Sequence, residues 1–372
     1  MARRTSPPFR ADHVGSLLRP PRLLQAREDF AAGRISAADL RSVEDQEIPA
    51  AIRMQEQVGL QSATDGEFRR ASWHMDFIYA LGGISKAPGN MAVKFRNASG
   101  EIEFTPASIH VDGKIHIDDT IFADAFTFLQ SHVTTAVPKL TIPSPNMVHY
   151  RGGPAMLDPA VYPDLEEFWA DLAGAYAEEV ARLGRLGCRY LQFDDTSLAY
   201  LNDPAQRAQI RGRGEDAERL HLRYIGQINA AVRGRPAAMA VTTHLCRGNF
   251  RSSWVASGGY DFVAEALFSQ LEVDGFFLEY DDERSGGFAP LRFVPPGKMV
   301  VLGLVTTKRP QLEAKDDLKR RIDQAARYVP LDQLALSGQC GFSSTVEGNA
   351  LTPGEQAAKL RLIVETAQEV WG

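Results

Sequence analysis

The feature that most constrains this chain is a rhythm: a short apolar run, then a polar or glycine-rich patch, then a segment with helical spacing, repeated along its length. Eight runs read as strands: Arg10 to Gly15, Gln61 to Thr64, Leu140 to Pro143, Tyr190 to Phe193, Ala237 to Val241, Gly275 to Leu278, Met299 to Leu304, and Leu334 to Leu336. Strands separated by helices pair in parallel through right-handed crossovers, and eight of them suffice to close a barrel. The expected fold is therefore α/β, a single (β/α)8 TIM barrel. A doubly wound sheet would instead place a glycine-rich phosphate loop after its first strand, and Val14 to Arg19 holds one glycine, Gly15.

Local signals support the helices. Thr352, Pro353 and Glu355 supply a capping residue, a proline at the first helical position and an acid at the third, and Leu360, Ile363, Val364, Ala367 and Val370 follow on one face. Pro163 opens another helix with a stripe of Leu165, Phe168, Trp169, Leu172, Tyr176, Val180 and Leu183. A barrel takes about 250 residues before insertions, and this chain has 372. The surplus lies at 84 to 136, where Val93 to Arg96, Glu101 to Thr105 and Ala107 to Val111 look like hairpin strands divided by turns at Asn97 to Gly100 and at Asp112-Gly113. The expectation is one catalytic barrel over 1–372 carrying an inserted β-hairpin subdomain at 84–136, placed over the barrel mouth.

Charge and composition narrow the function. The chain has 41 Lys plus Arg against 47 Asp plus Glu, a net charge of −6, and no basic block, which argues against nucleic acid or an anionic membrane surface as partner. The longest strand-like apolar run, Met299 to Val305, is far shorter than the ~20 residues a membrane span needs. The basic N-terminus is not followed by an apolar signal segment. A cytoplasmic enzyme acting on a small molecule is expected. Three widely spaced cysteines, Cys188, Cys246 and Cys340, do not suggest a disulfide framework and turn attention to thiol or metal chemistry.

In a parallel barrel the site forms where strands end. Ser16 follows the first run, Asp65-Gly66-Glu67 the second, Asp194-Asp195 the fourth, His244-Leu245-Cys246 the fifth, Glu279 the sixth and Cys340 the eighth. The nitrogen, oxygen and sulfur donors of His244, Cys246, Glu279 and Cys340 suit tetrahedral Zn²⁺. The blander reading makes both cysteines buried apolar residues and His244 a satisfied interior histidine. Glu67 and Asp194 suit gripping an ammonium group or moving a proton, and equally suit a salt bridge with Arg69 or Arg70. Cys188, at the opposite end of its strand, reads as structural. His13 and His149 lie near strand ends, Trp73 and His74 near the mouth, and the acidic run Tyr280 to Arg284 reads as a solvated loop.

Taken together, Asp12 to Ser16, Asp65-Gly66-Glu67, Gln192 to Asp195, Thr243 to Cys246, Phe277 to Glu279 and Ser337 to Gly341 make the chain resemble the cobalamin-independent methionine synthases, specifically their C-terminal catalytic barrel and the short single-barrel relatives. The resemblance implies zinc-dependent transfer of a methyl group to the sulfur of homocysteine, with His244, Cys246, Glu279 and Cys340 as the zinc ligands. It implies that Glu67 and Asp194 hold the homocysteine amino group, and that Ser16 with the backbone of Val14 and Gly15 binds its carboxylate. The full-length members have two barrels and this chain has one. The family's tryptophan after the third strand corresponds to the stretch Met147 to Tyr150, and its histidine after the seventh has no counterpart in Gly303 to Lys308. The implied donor is thus a methyl-tetrahydropterin or a methyl-corrinoid, the latter delivered by a corrinoid protein. Two alternatives remain: alkylation of a different thiol, such as one resembling coenzyme M, and a non-catalytic zinc-containing protein that binds an amino acid.

Overall fold

A computed structural model describes residues 4–88, 93–97, 100–105 and 108–372. Its centre is a seven-stranded parallel sheet of β1 (Ser62–Ala63), β6 (Val137–Pro143), β7 (Tyr190–Asp195), β8 (Ala240–Leu245), β9 (Gly275–Glu279), β10 (Met299–Val305) and β11 (Leu334–Gly338), paired in that order. The strands of β7 to β11 are buried along their whole length apart from Ala240, as expected where helices cover a parallel sheet. Both helices anticipated from the sequence are present. Thr352 and Glu355 form a reciprocal capping box on Pro353–Trp371. Asp164 caps Leu165–Arg185, and Phe168, Trp169, Leu172, Tyr176, Val180 and Leu183 are buried along one face.

The first anticipated strand differs from expectation. Arg10 to Gly15 forms no ladder and makes one parallel bridge, Ala11 to Leu336, with Asp12 N–H donating to Leu336 O at 3.0 Å and Leu336 N–H to Arg10 O at 2.8 Å. The reason is local competition for the backbone. The Asp12 carboxylate accepts from the N–H groups of Phe9 (3.1 Å) and His13 (2.8 Å), so these donors are withdrawn from any sheet. The same carboxylate accepts from Ser62 Oγ at 2.9 Å and Tyr190 OH at 2.8 Å, and lies 3.3 Å from Lys139 Nζ. Lys139 also sits over the rings of Phe277 (4.1 Å) and Tyr190 (4.8 Å). Thr64 Oγ1 donates to Gly15 O at 2.6 Å. One short segment thus links edge strand β11, through a backbone bridge, to edge strand β1, through side chains, and the curl has seven strands where eight were expected.

Between β1 and β6 lie two antiparallel pairs. β2 (Gly82–Ala87) pairs with β5 (Ser108–His116), and β3 (Val93–Asn97) with β4 (Gly100–Phe104). Ala98, Ser99 and Ala107 of the anticipated hairpins fall outside the described residues. Asp112-Gly113 is not a turn: β5 runs through it, and Gly83 (φ +83°) lies against it so closely that a Cβ there would come within 2.4 Å of Lys114 O. The β3–β4 pair docks on the loop after β8, where Arg96 and Trp254 exchange backbone hydrogen bonds of 2.7 and 2.9 Å and Phe95 meets Phe250 at 5.2 Å between ring centroids. Among the described residues no helix is long and apolar enough to cross a membrane.

Two predictions follow from this packing. Asp12→Ala strands Lys139 and several buried donors at once, and should lower unfolding stability in urea by about 3–5 kcal/mol. Glu179, on the Leu165–Arg185 helix, accepts from Ile121 N–H at 3.2 Å, and burial raises its carboxyl from 4.5 to about 8. Its folded form therefore keeps a proton that the unfolded chain releases, so this stabilisation is complete below about pH 4.5 and is lost as pH rises through about 8. Glu179→Gln should flatten the fall in unfolding free energy between pH 5 and 8, measured by denaturant titration at stepped pH.

Candidate metal centre

Parallel strands deliver their C-terminal ends to one rim, and that rim collects the polar residues. His244 is the penultimate residue of β8 and Glu279 the last of β9, while Cys246 and Cys340 stand just beyond β8 and β11. All four are buried, and one ligand atom from each lies within 4.8 Å of the others. The two sulfurs are 3.4 Å apart. Both ring nitrogens of His244 are buried without a hydrogen-bond partner. Buried polar atoms normally find partners, and a metal held between His244, the two sulfurs and the carboxylate would supply one. The donor set fits Zn²⁺.

Electrostatics agree. The hydrogen bond from Cys246 holds the Cys340 thiol well below its ordinary range, with His244 adding to the effect, while the same bond and burial push Cys246 well above. Burial opposes charge on His244, but Cys340 and nearby carboxylates raise it overall. Burial raises Glu279, opposed by the charges of Lys308 and Arg284. Cys188, by contrast, is buried alone with its thiol pushed up to about 12, an inert group as the sequence suggested.

Glu279 is held from behind. Its Oε1 accepts from Arg247 N–H at 2.8 Å, and Oε2 lies 3.5 Å from Arg284 Nη2. The fully buried Arg247 guanidinium donates to Gly258 O, Tyr260 OH and Glu279 O at 3.1, 2.9 and 3.1 Å. The stretch Tyr280 to Arg284 is not the solvated loop its composition suggested. Tyr280 is fully buried, the Asp281 side chain is 3% exposed, and Arg284 is clamped by Asp281 and Asp282 at 3.2 and 2.9 Å. Asp281 and Arg284 thus turn inward beside the cluster, while Glu283 is exposed.

A cavity of about 420 Å³ opens beside the cluster and is lined by Val14, Ser16, Glu67, Asp194, His244, Cys246 and Cys340, among others. Gly15 turns the chain beneath it, and a Cβ there would lie 2.7 Å from Thr141 Cγ2. Ser16 Oγ accepts from Ser343 N–H at 3.3 Å, and Gly341 is required opposite it because a Cβ would come within 2.0 Å of that oxygen. Glu67 has a left-handed backbone (φ 61°), an unfavourable state for a non-glycine residue that concentrates at working sites. Thr141 Oγ1 donates to its Oε1 at 2.8 Å and Arg70 lies 3.7 Å away, while Oε2 is buried without a partner. Arg69 instead pairs with Glu44 and Asp45. Gln192 joins the two halves of this wall, donating to Val14 O and to Asp194 Oδ1, each at 2.7 Å. Burial raises Asp194 to about 7, with Glu67 adding to the shift.

The remaining aromatic and histidine candidates separate. Trp73 and His74, with ring centroids 4.4 Å apart and planes tilted by 33°, line the outer cavity with Phe95 and Phe250. His149 faces away, against Tyr224 (3.0 Å) and Glu215 (3.4 Å), and His13 is buried beside Lys139 and Asp12. Sequence reading missed Arg247, Arg284 and Lys308. Only their nearness in the chain to strand ends pointed to them.

Comparison with known proteins places this geometry. The family model described as the catalytic domain of cobalamin-independent synthases matches residues 9–369. The uncharacterised protein YxjH of Bacillus subtilis is 47% identical over 98% of this chain and 95% of its own length. The crystal structure of a provisionally assigned vitamin-B12-independent methionine synthase from Listeria monocytogenes superposes with a TM-score of 0.79 at 40% identity, covering 99% of this chain and 100% of that one. The methionine synthase of Pyrococcus abyssi is 24% identical over 88% of this chain and 85% of its own.

The cluster makes its own prediction. Cys340→Ser should weaken zinc binding by about 100-fold or more in competition with a chromophoric chelator, while Cys188→Ser leaves it unchanged.

Proposed function

The chain belongs to the family of cobalamin-independent synthase catalytic domains, and from that premise we propose that it is an enzyme that transfers a methyl group to the thiol of homocysteine, giving methionine. The proposed cofactor is Zn²⁺, held by His244, Cys246, Glu279 and Cys340. The donor is a methyl-tetrahydropterin or a methyl-corrinoid. One observation carries the reading: His244, Cys246 and Cys340, three of four metal donors that lie within 4.8 Å of one another, border the same cavity as the buried carboxylates of Glu67 and Asp194. That pairing suits a substrate with a thiol at one end and an ammonium group at the other.

A bound Zn²⁺ supplies acidity, converting a thiol that is mostly protonated at neutral pH into a nucleophilic thiolate. The chain's own residues supply position. In this reading Glu67 Oε2, which lacks a partner, and Asp194 take the ammonium group, whose charge favours the ionised form that burial alone disfavours. Ser16 and the backbone at Val14 and Gly15 take the carboxylate. Fixing both ends of the amino acid aims its sulfur at the cluster, and this orientation is the main catalytic contribution of the wall. Phe95, from the β3–β4 pair, lines the outer cavity.

The test is methionine formation by the zinc-loaded protein from homocysteine with each donor, alongside X-ray absorption counting sulfur neighbours of the metal. Turnover with one donor and a rise from two sulfurs to three on adding homocysteine are expected. An unchanged sulfur count would remove homocysteine as the acceptor. Glu67→Gln should raise KM for homocysteine about 10- to 100-fold while leaving the affinity for 4-mercaptobutyrate, which lacks the amino group, unaltered. An equal effect on both thiols would refute the ammonium role.

A further inference from the structure

Buried positive charge around the cluster is unevenly committed. Arg284 is clamped by two aspartates in addition to Glu279, and Arg247 is used by backbone carbonyls and Tyr260. Lys308 is different. It is buried, its Nζ has no hydrogen-bond partner, and among the described residues it forms no ion pair. An ammonium buried without a hydrogen bond in a low-dielectric interior is costly.

The topology shows which groups lie on either side of Lys308. β10 lies between β9 and β11, so the loop after β10 stands between Glu279, at the end of β9, and Cys340, just past β11. The loop is pinned there: Thr307 N–H donates to Gln339 Oε1 at 2.6 Å, Thr307 Oγ1 to Gly341 O at 3.0 Å, and Asn349 Nδ2 to Thr307 O at 2.9 Å. The acidic groups that feel the Lys308 charge are Glu279, Asp281 and Cys340. Asp281 is already paired with Arg284. Glu279 is also the member of the cluster that does not line the cavity, whereas His244, Cys246 and Cys340 do. A thiol entering through the cavity therefore meets the cluster from the front, with Glu279 and Lys308 behind it.

We propose that Lys308 is a positioning residue that receives the Glu279 carboxylate when a substrate thiol takes its place in the metal's coordination. The inference rests on the zinc and thiol reading above. Two thiolates and a carboxylate around a divalent cation leave one net negative charge, and a substrate thiolate adds a second. With Zn²⁺ bound, the substrate sulfur would replace Glu279 as a ligand, its thiol proton leaving to solvent. The carboxylate carries its charge toward Lys308, the buried cation there whose charged group makes no hydrogen bond at all. Arg247 N–H and Arg284 hold its two oxygens on that side.

The experiment compares wild type, Lys308→Met and Lys308→Arg by zinc affinity in chelator competition, homocysteine affinity of the zinc-loaded protein by calorimetry, and thermal stability of the metal-free protein. Because Lys308 has no partner to lose, Lys308→Met should leave metal-free stability unchanged or raised. Removing a cation near the metal should leave zinc affinity equal or tighter, while homocysteine binding weakens about tenfold or more; Lys308→Arg should restore most of it. These opposite signs for metal and thiol are not produced by a structural lysine. Homocysteine affinity within twofold of wild type in Lys308→Met, or parallel loss of metal and thiol affinity, would overturn the proposal. Wild-type protein that holds zinc but takes no homocysteine would overturn the underlying reading and this inference with it, and is seen before any variant is made.

Discussion

The Asp12 carboxylate bears the closure of the sheet. By capturing the backbone donors of Phe9 and His13 it prevents a first strand from forming, and by meeting Ser62, Lys139 and Tyr190 it connects that segment to β1, β6 and β7. The bridge from Ala11 to Leu336 connects it to β11. Ser16 follows this segment and Glu67 follows β1, whereas Cys340 follows β11, so the two walls of the cavity face each other because the closure holds. A buried ion pair is weak evidence for stability in general. Here it is reinforced by four further hydrogen bonds to one carboxylate and by two aromatic faces on the lysine.

At the rim the organising quantity is charge in a water-poor setting. Three acidic donors, two more carboxylates on the cavity wall and Asp281 are concentrated where burial opposes ionisation. The structure answers with Arg247, Arg284 and Lys308, and with backbone N–H groups directed at Glu279. Supporting partners of this kind orient metal ligands and tune them. They also explain why Asp281 and Arg284, in the acidic stretch after β9, turn inward: the two pair with each other, and Arg284 also with Glu279.

Above the rim, aromatic side chains replace charges. Phe95 comes from the β3–β4 pair and Phe250 from the loop after β8, so the outer wall is assembled by two segments far apart in the chain. With the Trp73–His74 ring pair they narrow the approach to the cluster, which strengthens every electrostatic interaction beneath.

Much of this was legible in the sequence. Seven of eight anticipated strands, the capped terminal helix and the convergence of His244, Cys246, Glu279 and Cys340 follow from patterns that act over a few residues: apolar periodicity, caps, and donors placed just after strand ends. Those signals are local, and a parallel sheet converts them into a shared rim. What the sequence did not reveal depends on partners distant in the chain. Whether Arg10 to Gly15 pairs as a strand was decided by where Asp12 meets Lys139 and Tyr190, more than a hundred residues away. Whether Tyr280 to Arg284 faces solvent was decided by the buried Glu279 it surrounds, and whether Lys308 has a partner by the strands on either side of it. Chain neighbours set the propensity of a segment, but burial and charge balance belong to the whole fold, and only the tertiary structure determines them.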